Sequence, residues 1–214
     1  MSAPMHRNID VTMVCGHKDN APVSYRGSRQ LLDERLNLKK MLCHECMSTL
    51  STWYSSDFGV QSYPMDFPIM AGTSPAQTKF ATDVRRDEFK KFGPIMLALS
   101  KDPSELARFA WRAIYMRFMV TNVRYWLDGR NRFNVHLWAT DIQRLMKAPG
   151  ISDVVSTDTP YGWFAKGRNR DALGYIIGIN PACDLQGKNL PLMHLWTAEM
   201  FRESVSSGDE RKAS

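Results

Sequence analysis

The sequence predicts a mainly helical α+β fold: a small N-terminal module, a larger helical domain and a C-terminal β-hairpin. Three observations carry this. Residues 8–14 (NIDVTMV) alternate polar and apolar residues, the period of a strand. From residue 28 onward most apolar residues recur at helical spacing. Two short runs near the end, Tyr161–Ala165 and Tyr175–Ile179, are aromatic or β-branched and flank the polar stretch 166–171, as in a hairpin.

Taken in order, Asn8–Val14 is the first strand, Cys15-Gly16-His17 turns the chain, and Pro22–Tyr25 is the second strand. Ser28–Met41 carries Leu31, Leu32, Leu36 and Leu38 among charges and reads as a short helix whose leucine spacing is imperfect. Met47–Tyr54 continues as a helix after Cys43-His44-Glu45-Cys46. Residues 55–72 hold Gly59, Pro64, Pro68 and Gly72 without periodicity, a linker. The expected division is a module over 1–54, this linker, a helical domain over 73–205 and a disordered tail over 206–214.

Within the helical domain Ser74 is placed to cap a helix, with Pro75 in its first turn and Gln77 positioned to close a capping box. Gly93-Pro94 predicts a break or kink. Asp102 and Pro103 predict the next start. Residues 106–127 are apolar on most sides, the mark of a central helix. Asn134–Lys147 places Val135, Trp138, Ile142 and Leu145 on one side of a further helix, and Leu192–Glu203 is a candidate closing helix.

The chain has 214 residues and a composition ordinary for a globular protein, with 43% hydrophobic and 23% charged residues. That excludes a mainly disordered chain, a collagen and a coiled-coil rod. Four cysteines are too few for a disulfide-stapled scaffold. No apolar run is long enough to span a membrane, and residues 1–10 lack the apolar core of a leader, so a cytoplasmic protein without a membrane partner is expected. The net charge is +6. Residues 79–147 hold fourteen basic and seven acidic residues, a surplus of +7, while the remainder sums to −1. A basic segment of this kind attracts polyanions: nucleic acid, or an acidic protein surface.

The sharpest chemical signal is Cys15-x-His17 followed by Cys43-x-x-Cys46. Zinc takes four nitrogen or sulfur ligands in a tetrahedron, and two ligand pairs on tight turns supply them. Cys15, His17, Cys43 and Cys46 are therefore the candidate ligands of a structural Zn2+, with His44 the alternative to His17. A Cys-x-x-Cys redox motif is less favoured, because the βαβ context of such motifs is missing.

These residues carry a resemblance. Cys-Gly-His, a short strand, Tyr25-Arg26-Gly27, a charged segment and Leu42-Cys43-His44-Glu45-Cys46 resemble the zinc-ribbon-like module of an uncharacterised protein family of plasmids, phages and integrative elements. The likeness continues through Ala71–Gln77 and Ala81–Arg85 and covers about Met13 to Phe92, with Asp83 standing where the family commonly has Glu. The resemblance implies a zinc-bound cytoplasmic protein of a mobile element and implies no particular activity.

No Gly-rich phosphate loop, nucleophile elbow or His-Glu-x-x-His motif occurs. His136, His194 and Cys183 read as structural or surface residues, and Asp153, Asp158 and Asp171 as turn residues. A non-catalytic role is expected. The expected function is nucleic-acid binding in service of a mobile element. Arg85, Arg86, Lys90 and Lys91 on one helix, and Lys166, Arg168 and Arg170 in the hairpin loop, are the candidate contacts. The alternative is a protein-binding inhibitor of a host defence complex, of the anti-CRISPR or anti-restriction type, docking through the same basic residues.

Overall fold

The computed structural model describes residues 3–70, 74–128, 133–147, 159–165 and 170–181. They form one two-stranded antiparallel sheet and a set of helices packed around a central one. Strands β1 (Met5–Thr12) and β2 (Lys18–Tyr25) pair from Met5↔Tyr25 to Thr12↔Lys18. Ile9, Val11, Ala21 and Val23 form the buried face, which is the period-2 pattern of the sequence. The turn between the strands is closed by Met13 N–H donating to the His17 carbonyl at 2.9 Å. Gly16 sits there at φ +79, a conformation that costs a side chain and suits glycine.

Helix α1 (Ser28–Leu38) lies against β2, and none of its residues is buried. Helix α2 (His44–Ser55) joins the module to the helical body: Trp53 meets Trp138, and Tyr54 Oη donates to the Phe133 carbonyl at 3.1 Å. Residues 57–70 carry no helix or strand, yet they are no free tether. Tyr63 is buried against Trp111, and its N–H donates to the Gly93 carbonyl at 3.0 Å.

Helix α3 (Pro75–Leu99) runs unbroken through Gly93-Pro94, against the expected break. The reason is tertiary. The Ser62 side chain sits where a Cβ on residue 93 would be, 2.7 Å from it, so glycine lets the 57–70 segment approach. Burial of Phe92, Ile95, Met96 and Leu99 then outweighs the proline penalty of about 3 kcal/mol. Ser74 caps α3 without a side-chain hydrogen bond, so the capping box with Gln77 does not form.

Helix α4 (Glu105–Met119) is the central helix, with Trp111, Ile114, Met116 and Phe118 fully buried. Its cap is Ser104, whose side chain accepts from Ala107 N–H at 3.2 Å, while Asp102 accepts from Ser104 N–H. The run expected to continue to residue 127 is two helices. The chain leaves α4 at Val120, whose carbonyl accepts from Trp126 Nε1 at 2.8 Å, and Asn122 caps the short α5 (Val123–Leu127). Helix α6 (Val135–Met146) matches its periodicity, capped by the Asn134 side chain, and Trp138 Nε1 donates to the Ala110 carbonyl on α4.

The C-terminal hairpin is not formed. Tyr161–Ala165 lies in α7 (Pro160–Ala165) and Tyr175–Gly178 in α8 (Arg170–Gly178). Two causes are visible. Pro160 at the first position, with Thr159 Oγ1 accepting from Gly162 N–H at 3.1 Å, starts a helix. Extending the second run back to Ala172 shows buried residues at Ala172, Leu173, Ile176 and Ile179, a helical period hidden in a shorter window. The expected closing helix and tail lie outside the described residues.

Candidate metal centre

The β1–β2 turn presents Cys15 and His17, and the first turn of α2 presents Cys43 and Cys46. Val14 N–H donates to the Met41 carbonyl at 3.0 Å, which clamps the start of α2 to the turn. Cys43 is the N-cap of α2, and its sulfur accepts from Cys46 N–H at 3.4 Å. Cys15 Sγ accepts from Cys43 N–H at 3.4 Å. His17 Nδ1 lies 3.5 Å from Cys43 Sγ and 3.3 Å from Cys46 Sγ. All four donor atoms lie within 4.8 Å of one another. A tetrahedral ion with bonds of about 2.0–2.3 Å needs neighbouring donors roughly 3.5–3.8 Å apart, so the cluster can hold a metal ion.

His44 is not part of it. Its side chain is exposed, and its backbone N–H is held by Asp19 Oδ2 at 2.8 Å. The choice between the two histidines therefore falls on His17, acting through Nδ1. The second ligand pair stands on a helix N-terminus and not on a second β-turn, so the module is a hairpin joined to a helix end.

The donors are electrostatically unlike. Burial pushes the Cys46 thiol up, and hydrogen bonding to Cys43 and the nearby Cys15 sulfur add to it. At Cys15 burial opposes ionisation, but the hydrogen bonds from Cys43 and His17 N–H and from the neighbouring thiols prevail, and its pKa falls. Three thiols in one place compete for ionisation, and a cation between them removes the competition.

The expected cationic contacts fare differently. Arg85 is 3% exposed. Its Nη2 donates to the Pro68 carbonyl at 2.8 Å, and its guanidinium lies over the Phe67 ring. It cannot meet a phosphate. Burial and the adjacent Arg86 charge push its pKa down to about 10. Arg86 and Lys90 are exposed but paired, Arg86 with Asp83 at 3.4 Å and Lys90 with Asp87 at 2.7 Å. The Lys91 ammonium sits 3.5 Å from the centre of the Tyr54 ring. Lys166, Arg168 and the Arg170 side chain lie outside the described residues, as do Asp153, Asp158, Cys183 and His194 and the side chain of Asp171.

Other members of the basic segment are also turned inward. Arg117 is 2% exposed and forms a two-pronged pair with Glu88 at 2.9 Å, with Phe133, Trp126 and Tyr125 around its guanidinium. Arg112 donates twice to the Ile179 carbonyl, and Arg144 donates to Thr159 Oγ1 at 2.7 Å. Sequence reasoning missed this internal use, because charge counting weighs buried and exposed arginines alike. Trp111, Tyr115, Tyr125 and Trp126 are buried, and His136 is exposed on α6. Among the described residues no helix is long and apolar enough to cross a membrane.

Fold and site together define a small module, with a Cys/His cluster that could hold a metal ion, joined to a helical body. Comparison with family models, curated proteins and solved structures returns no match. The donor set and its surroundings alone point to function.

Proposed function

We propose that this chain is a non-catalytic, zinc-stabilised binding protein whose N-terminal module docks on a protein partner. Three sulfurs and one imidazole nitrogen favour zinc, and four side-chain ligands fill its tetrahedron. An ion so enclosed organises the fold and leaves no position for an activated water.

One observation favours a protein partner over nucleic acid. Part of the basic segment is engaged within the molecule: Arg85 and Arg117 are buried, Arg112 and Arg144 donate to internal oxygens, and the exposed Arg86 and Lys90 stand beside carboxylates, while Lys79, Lys101, Arg108 and Arg124 stay exposed. The module, in contrast, exposes apolar side chains: Leu32 is 57% exposed and Leu36 47%. Exposed leucines suit protein contact more than a phosphate backbone. In the mobile-element setting that the N-terminal resemblance implies, the partner would belong to a host defence complex.

Nucleic-acid binding is the second reading, favoured by the exposed Lys18, Arg26, Arg29 and Lys39 of the module. The deciding experiment is a salt series with duplex DNA, single-stranded DNA and RNA on zinc-loaded protein. Weak, salt-insensitive binding is expected. An affinity falling steeply with salt would overturn the protein-partner reading, and the slope would count the phosphates contacted.

A further inference from the structure

The module holds a groove that the metal centre does not use. Its volume is about 370 Å3, and its lining comes from β1 and α1. Ile9, Leu31 and Leu32 provide apolar surface, and Arg7 and Arg35 provide charge. Helix α1 packs chiefly on β2, which leaves the β1 side open. Among the described residues β1 has no strand partner but β2, so its outer edge offers unpaired backbone groups.

The charge of the groove is unbalanced. Arg7 stands over the Tyr25 ring, and among the described residues neither it nor Arg35 has a carboxylate partner. The one acid in the lining, Asp10, accepts at Oδ1 from Asn20 Nδ2 at 2.6 Å, and its single carboxylate stands against two guanidiniums.

We propose that this groove receives an extended acidic segment of a partner protein, which adds as a strand along β1. Backbone bonding to the edge supplies affinity, as in strand addition generally. Alternate side chains of an added strand point the same way, so an apolar residue enters against Ile9 and Leu32 while carboxylates two residues to either side of it meet Arg7 and Arg35. Two-pronged pairing with arginine selects carboxylate over a neutral or basic segment. The inference rests on the protein-binding reading above and adds the place and the chemistry of the contact.

The test uses the full, zinc-loaded chain and fluorescein-labelled short peptides of the pattern Glu-Ser-Val-Ser-Glu or Glu-Ser-Leu-Ser-Glu, in which both glutamates and the apolar residue share one face of an extended strand. Controls are the lysine–valine counterpart, an all-glutamate peptide and a single-stranded oligonucleotide. Anisotropy reports binding, and amide shifts report whether β1 is the place. The Glu-Ser-Val-Ser-Glu and Glu-Ser-Leu-Ser-Glu peptides are expected to bind, the lysine peptide not to, and the all-glutamate peptide to bind more weakly. Arg7→Glu and Arg35→Glu are each expected to weaken binding by about tenfold or more without changing zinc stoichiometry. Leu32→Ser, at an exposed position, is expected to weaken it less and leave the salt dependence unchanged. Peptide binding insensitive to all three variants, or no peptide binding at all, overturns the groove while leaving the wider protein-binding reading to the salt series. Oligonucleotide binding lost in the arginine variants overturns both. Concentration-dependent dimerisation through β1 would assign the edge to a second copy of this chain and also overturn the proposal.

Discussion

The N-terminal module and the helical body solve the same problem by different means. In the body, Trp111, Trp138, Ile114, Met116 and Phe118 are fully buried around α4, and burial of that size holds a fold without help. In the module, the sheet buries only alternate residues of two short strands, and α1 adds only the partly buried Leu31 and Leu38. A unit that small lacks the core to offset chain entropy. The four donor atoms tie the hairpin turn to the start of α2, with Cys43 and Cys46 themselves buried. Where burial is scarce, a metal ion held by these four donors would replace it.

The largest test of this contrast is metal removal. Chelation, or Cys46→Ser, is expected to melt the hairpin while the body stays folded. Structural zinc contributes on the order of 10 kcal/mol to small domains, far more than this sheet gains from burial. Amide spectra check it: resonances of residues 5–25 should lose dispersion while those of α4 and α6 keep theirs. Joint collapse would show that α2, which reaches Trp138 and Phe133, binds the two regions into one cooperative unit. Metal analysis should give one zinc per chain, and none in the serine variant.

The converse perturbation is next in size. Trp138→Ala removes a fully buried indole together with its hydrogen bond to the Ala110 carbonyl. Such truncations cost about 3–5 kcal/mol. The midpoint of thermal unfolding should fall sharply while zinc stoichiometry stays at one. Loss of zinc in this variant would break the contrast from the other side.

The same contrast explains what the sequence made legible. Local signals were enough for the hairpin, for α2, for α6 and for the Cys/His cluster, because each ligand pair lies within a few residues, one on the hairpin turn and one on the first turn of α2. Residues 28–41 read as a short helix with imperfect leucine spacing, and in the structure Leu32 and Leu36 are exposed on it. What tertiary contact decides was not legible. Pro94 continues a helix because residues 57–70 pack across it. Val120 ends one because Trp126 takes its carbonyl. Arg85 and Arg117 counted toward a basic face, but aromatic rings and a carboxylate hold them inside.

A smaller, pH-dependent effect belongs to the body alone. Asp141 is fully buried; its Oδ1 accepts from Tyr161 N–H at 3.2 Å, and among the described residues Oδ2 has no partner. Burial raises its pKa to about 7, against the lowering pull of the Tyr161 N–H, Arg144, Arg117 and Thr159. An unfolded aspartate titrates near 4, so between about pH 4 and 7 the folded chain binds the extra proton. Stability from this group is therefore greatest below pH 4 and falls as pH rises toward 7, then levels off. Asp141→Asn keeps an acceptor for Tyr161 and removes the charge. It should flatten that slope and raise stability above pH 7 by on the order of a few kcal/mol, as read by denaturant melts across pH.

The smallest effect separates distance from energy. The Lys90–Asp87 and Arg117–Glu88 pairs both approach to 2.7 Å. Their side chains are 73% and 68% exposed in the first pair, and 2% and 21% in the second. In water a lysine–carboxylate pair gains little beyond the hydration it gives up, and holding two long side chains together costs entropy. Lys90→Ala should therefore change stability by no more than roughly 0.5 kcal/mol. Arg117→Ala strands Glu88 and empties the space among Phe133, Trp126 and Tyr125, which should cost about 3–5 kcal/mol. Denaturant melts of the two variants at low and high salt check both. A Lys90→Ala loss that rivals the Arg117 value would mean that α3 relies on its surface charges, and the paired cations would then have a structural task beyond blunting a basic face.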